Sequence, residues 1–66
     1  MNAKTFANWI KDTRNLKNIT KAVKESAELL GVCENAYWKW YTEKTQIPAP
    51  MVKLMELIIQ NENKGN

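Results

Sequence analysis

The sequence predicts an all-α fold, a compact four-helix domain. Apolar residues recur at i, i+3, i+4 spacing in several separate runs and nowhere alternate as a half-buried strand would. Only two glycines and two prolines punctuate the 66 residues, few for a chain built of many short strands and turns. A polar cap, Thr20 or Asn18, precedes the second run, and Gly31 and Pro48 fall where runs end or begin, as helix boundaries require. A chain of this length is one domain that buries only about 60 % of its unfolded surface. It has room for a modest core and little for an enclosed active site. Three tryptophans in so short a chain imply that a few large side chains carry much of that core.

Met1 and Asn2 form a loose start. Phe6, Trp9, Ile10 and Thr13 follow i, i+3, i+4, i+7 spacing and define a first helix from about Ala3 to Arg14, with the stripe turned to the core. Asn15 to Asn18 make a polar link in which Leu16 folds back as a plug. Thr20 or Asn18 caps the second helix, because either side chain can accept a bond from a free amide in the first turn. Ile19, Val23, Ala27 and Leu30 line its inner face up to Gly31. A third helix runs from about Glu34 to Thr42, and Glu43 to Gln46 form a polar loop. Ile47 packs beneath, and Pro48-Ala49-Pro50 opens a fourth helix, where a proline costs least. Met51, Val52, Leu54, Met55, Leu57, Ile58 and Ile59 make this helix apolar over most of its circumference, through about Gln60. That is more apolar surface than a small core needs, so the helix reads both as the central brace and as a self-association surface. Residues 1–60 form the domain, and residues 61–66 read as a disordered tail.

The stretch from Ala27 to Trp40 organises the rest. Ala27 is small enough for a close helix crossing, and Gly31 can adopt the left-handed backbone that ends a helix cheaply. Leu30, Val32, Tyr37 and Trp40 then share one apolar seam. This combination makes a helix-turn-helix. On the helix after the turn, Tyr37, Trp40 and Tyr41 point inward or to the rim. Asn35, Trp38, Lys39 and Thr42 share the opposite stripe, with Glu34 at its edge. An amide, a cation, a hydroxyl, a carboxylate and an exposed indole can hydrogen-bond base edges and phosphates in a major groove. The plainer alternative is a solvated helix face.

From about Thr20 to Ile58 the chain resembles the phage-repressor, or lambda-repressor-like, family of helix-turn-helix DNA-binding domains. The resemblance rests on Ala27, Leu29-Leu30-Gly31-Val32, Trp40 and Ile47-Pro48-Ala49-Pro50, followed by Leu54 and Leu57. It implies sequence-specific binding of double-stranded DNA, a homodimer on a palindromic operator, and transcriptional repression of the Cro type. By position, Glu34, Asn35 and Lys39 fall where members of that family touch bases. Lys44, Thr45 and Gln46 fall where they touch phosphate. The chain departs from the pattern at Ser26, where leucine is usual, and at Cys33, where serine or threonine caps the recognition helix. Glu43 stands where glycine often follows that helix, and the first inter-helix link is slightly long.

Charge agrees with an anionic partner. The net charge is +3, but residues 1–24 carry six cations against Asp12 alone, and residues 25–66 carry four cations against six acids. The basic excess therefore sits on the first helix and the start of the second, elements that flank the phosphate backbone in helix-turn-helix docking. Arg14 at the end of the first helix, and Lys21 and Lys24 near the start of the second, are assigned to phosphates. Lysines at a positive helix end are slightly unfavourable for folding alone and better explained by a nearby anion. Thr42 joins Lys44, Thr45 and Gln46 in the same set. Asn35, Lys39, Glu34 and Trp38 are assigned to bases. For Glu34 the helix dipole is an alternative reason; for Trp38 a thymine methyl, the sugar edge and a protein contact all stand open.

Other classes are disfavoured. With no histidine and one cysteine, neither a metal site nor a Ser-His or Cys-His pair can be assembled. No glycine-rich phosphate loop is present, so no enzyme activity, small-molecule substrate or cofactor is expected. One cysteine permits no internal disulfide, which favours a reducing, cytoplasmic setting. A thiol at a helix N-terminus can be reactive, but Cys33 reads more simply as a tolerated serine replacement. No apolar stretch approaches the ~20 residues that span a bilayer, so no membrane partner is expected. The alternative function is a small protein-interaction module, an antirepressor or inhibitor, anchored by Trp38, Tyr41 and the apolar last helix.

Overall fold

Asparagine starts the first two helices. In the computed structural model, which describes residues 1–64, the element order is α1 (Ala3–Thr13), α2 (Ile19–Leu30), α3 (Glu34–Tyr41) and α4 (Ala49–Lys64). The Asn2 side chain accepts a bond from the Thr5 amide at 2.8 Å, and that of Asn18 from the Lys21 amide at 3.0 Å. Each satisfies one of the amides a helix leaves free at its start. Of the two caps considered for α2, Asn18 holds the position, and Thr20 lies inside the first turn. Cys33 precedes α3 with no side-chain cap bond. At the head of α4 the Pro48 carbonyl accepts from the Met51 and Val52 amides, while Pro50 sits in the first turn, where a missing amide costs little.

The first three helices stop in the same way. A residue with positive φ reverses the chain, and its own amide and the next fold back onto the last carbonyls. At the end of α1, Asn15 takes φ 54°, with Asn15 N–H donating to Asp12 and Leu16 N–H to Lys11. At the end of α2 it is Gly31, φ 72°, with Gly31 N–H donating to Glu28 and Val32 N–H to Ala27. At the end of α3 it is Glu43, φ 63°, with Glu43 N–H donating to Trp40 and Lys44 N–H to Lys39. Asparagine and glycine suit this backbone, whereas glutamate is strained in it. In each case the residue after the reversal returns toward its own helix. Leu16 therefore packs against the core.

The core draws on all four helices. Ala3, Phe6, Ala7 and Ile10 come from α1, Ala22, Val23, Ser26, Ala27 and Leu30 from α2, Tyr37 from α3 and Met55 from α4. Alanines on the facing sides of α1 and α2 let the two backbones approach closely. The inner stripes match the predicted periodicity except at three positions, of which Ile19 at the start of α2 is half-buried. Thr13 is exposed, its hydroxyl donating to the Trp9 carbonyl at 2.9 Å, and Trp9 is half-buried, stacked on Phe6 with centroids 5.9 Å apart.

Tyr37 is the one fully buried residue of α3, and it joins the chain's beginning to its middle. Its hydroxyl donates to the Ala3 carbonyl at 2.8 Å. Burial pushes the Tyr37 phenol up to about 12, only partly offset by the adjacent Ser26 hydroxyl, and Tyr41 adds a smaller push in the same direction. Ser26 itself is fully buried and donates to the Ala22 carbonyl at 2.7 Å. A leucine at position 26 would occupy the space beside the tyrosine hydroxyl, so the small polar residue and the large polar ring go together.

α4 packs on α2 along one side only. Met55 is fully buried, Met51, Val52, Leu54, Ile58 and Ile59 are half-buried, and Leu57 is 47 % exposed. The helix also runs past the expected stop at Gln60 and continues to Lys64. Residues 61–64, expected to belong to an unstructured tail, are thus helical, and residues 65–66 lie outside the described residues. The extension has a physical anchor one turn from its end. Arg14, at the C-cap of α1, sits 3.2 Å from Glu62 and 3.6 Å from Glu25 of α2, so one guanidinium ties three helices together.

Candidate functional site

The outer face of α3 carries a cluster of exposed polar groups. Helical spacing separates it from the core, because Tyr37 anchors the opposite side. Asn35, Lys39 and Thr42 are exposed, and together with Trp38 and Lys44 they line one shallow, open depression. Asn35, Lys39 and Thr42 are spaced i, i+4, i+7, so they stand one above another along the helix. Trp38 forms one wall.

Trp38 was expected as an exposed indole, and it is half-buried instead. Its ring meets Tyr41 edge to face, with centroids 5.2 Å apart and planes at 71°, an arrangement favoured by the aromatic quadrupole. Tyr41 is itself half-buried and has the Lys4 ammonium 6.0 Å from its ring centroid. The indole is therefore a supported, oriented wall. Tyr41, expected inward or at the rim of α3, supports it, and the i+3 spacing of the two rings is the sequence signal for their contact.

Lys44 reaches this face because of the reversal at Glu43. The Lys44 amide returns to the Lys39 carbonyl at 2.9 Å, which places its side chain along the depression rather than away from α3. The left-handed residue is thus a positioning element. Thr42 is less free than expected. Its hydroxyl donates to the Trp38 carbonyl at 2.8 Å, so toward an anion it offers only acceptor lone pairs unless that bond breaks.

The remaining residues assigned to DNA divide by place. Thr45 and Gln46 line a different depression, with Trp40, Glu43, Ile47 and the start of α1. Lys21 and Lys24 are exposed on the outer side of α2. Arg14 differs most from its assignment to phosphate, since Glu25 and Glu62 both occupy it and its Nη1 is buried. Its charge is paired at a partly exposed corner of the domain. Glu34 stands in the first turn of α3, where a carboxylate opposes the positive end of the helix. It does not line the α3 depression.

Cys33 is a free, exposed thiol. Among the described residues no group of three or more His, Cys, Asp or Glu could hold a metal ion, and no helix is long and apolar enough to cross a membrane. The chain matches no family model, no curated protein and no solved structure.

Proposed function

We propose that the chain is a sequence-specific double-stranded DNA-binding regulator, a Cro-like repressor acting as a dimer, in which α2, the Gly31 turn and α3 serve as the helix-turn-helix. One observation carries the reading. A short helix pinned from behind by a buried tyrosine turns an amide, an ammonium and an aromatic wall outward on one open face, with a second ammonium beside them. These are the groups that read base edges and hold phosphates. A solvated face needs no such variety and no rigid backing.

In this mechanism α3 lies in the major groove. The Asn35 amide pairs with adenine through both its donor and its acceptor, and the Lys39 ammonium donates to guanine. Each contact is worth roughly 1–3 kcal/mol of discrimination. Lys44, Thr45 and Gln46 at one end and Lys21 and Lys24 on α2 hold the phosphates and set the register. Two copies place their α3 helices about one helical turn (~34 Å) apart and block polymerase sterically. The exposed side of α4 around Leu57 supplies the contact between the copies.

Selection of bound duplexes from random DNA tests the reading. The expected product is a symmetric motif, bound with an affinity that falls steeply as salt is added, because phosphate contacts release counterions. Lys39→Ala should relax preference at one position in each half-site. Failure to enrich any duplex refutes the proposal. A second reading draws on the same exposed Leu57 and on Leu29, 38 % exposed: a protein-interaction module of the antirepressor or inhibitor kind. It predicts binding to a protein partner with little dependence on salt.

A further inference from the structure

We infer that Trp38 is a thymine reader: the indole packs on the 5-methyl group of a thymine in the base pair next to the one contacted by Asn35. The inference rests on the DNA-binding reading and specifies what one residue of that face recognises. The physical ground is the state of the side chain. A free surface tryptophan must be ordered on binding, which costs part of the contact it makes. Trp38 is already ordered, half-buried and held edge-on by Tyr41 at 5.2 Å, and its carbonyl takes the Thr42 hydroxyl. Its accessible part lines the depression it shares with Asn35, Lys39, Thr42 and Lys44.

That setting selects the occupant. An apolar peptide would have to bury Lys39 and Lys44 against its own surface, and stripping water from unpaired ammonium groups is costly. A DNA groove supplies phosphates for those cations and, at the same depth, one apolar group. The thymine methyl is the one apolar group that base pairs present in the major groove. Trp38 follows Asn35 by three residues, about one turn of α3, so the amide and the indole stand on the same face and reach base pairs that lie close together.

The test starts from the duplex recovered by selection with the unaltered protein. Each thymine is replaced in turn by uracil, which removes the methyl group and leaves every hydrogen-bonding atom in place. One thymine per half-site should show a loss of about fourfold in affinity, the equilibrium equivalent of one buried methyl-sized group. That loss should vanish in Trp38→Ala. Because Trp38→Ala removes a wall of the helix, an independent readout accompanies it. Placing 5-bromouracil, which has the shape of thymine, at the sensitive position and irradiating should yield a photocrosslink whose peptide maps to Trp38. Uniform tolerance of uracil overturns the inference while leaving the DNA-binding reading intact, as does a crosslink to another residue. If no duplex is selected at all, both fall together.

Discussion

Replacing Tyr37 by phenylalanine removes a single oxygen from the centre of the domain and keeps the ring. That oxygen donates to the Ala3 carbonyl at 2.8 Å, and both residues are at most 1 % exposed. No water can replace the lost donor without opening the α1–α3 contact. The cost is that of an orphaned buried acceptor, about 1–3 kcal/mol, which for a domain of this size lowers Tm by roughly 4–8 °C per kcal/mol. The same oxygen gives the effect a pH signature. The folded phenol is raised from 10.0 to about 12, so folding favours the protonated form. Its contribution is whole below pH 10 and is lost as pH rises from 10 toward 12. Two units at about 1.4 kcal/mol each amount to roughly 3 kcal/mol. Tyr37→Phe has no such group. Urea melts followed by circular dichroism at pH 7, 10 and 11.5 should show the variant less stable at neutral pH and the gap closing in alkali. Lysine titration is common to both proteins and cancels in the difference. A gap that stays constant from pH 7 to 11.5 would refute the burial that raises the phenol, and a variant as stable as the parent at neutral pH would refute the hydrogen bond to Ala3.

Three further outcomes follow from the helix ends and the ion pairs. Gly31→Ala should cost about 1–2 kcal/mol from backbone strain alone, because an added Cβ meets nothing within 4 Å; chemical melts that show no loss would contradict the left-handed turn. Glu43→Gly should stabilise the fold by up to about 1 kcal/mol by relieving the strained φ of 63°, measured in the same melts at matched pH. Arg14→Ala should lower stability by more than Glu62→Ala, which costs at most about 1 kcal/mol and costs less at high salt. Arg14→Ala should also leave the salt slope of duplex binding unchanged, whereas Lys21→Ala should flatten it by about one unit.

The fold was largely legible because its signals are local. Periodicity located the four helices, and Gly31 marked the most important reversal. The alanine and leucine positions of α2 told which side faced inward. What could not be read depends on pairs distant in sequence. Nothing near Tyr37 indicates that its hydroxyl meets the carbonyl of Ala3, 34 residues away. The role of Ser26 is equally hidden until the tyrosine is beside it. The extension of α4 beyond Gln60 is hidden because Asn61 and Asn63 have weak helix propensity and the tract has no apolar residue to mark a buried stripe. A polar tract gives no local hint that Glu62 will meet an arginine 48 positions earlier.

Arg14 shows why charge in a sequence is an incomplete guide to a charged surface. Counted along the chain, it is one of six cations in a strongly basic first third. In the fold it lies between two carboxylates, so from outside the domain that corner is close to neutral or negative. Of the cations assigned to the proposed interface, those left without an ion pair among the described residues are Lys21 and Lys24 on α2, Lys39 on α3 and Lys44 just beyond it. Lys4, Lys11, Lys17 and Lys53 are likewise unpaired among the described residues and add to the field from other sides of the domain. Within the proposed interface, long-range attraction and close-range reading thus fall on the stretch of chain around Gly31. An interaction module that recognised its partner mainly through apolar contacts would not require that coincidence.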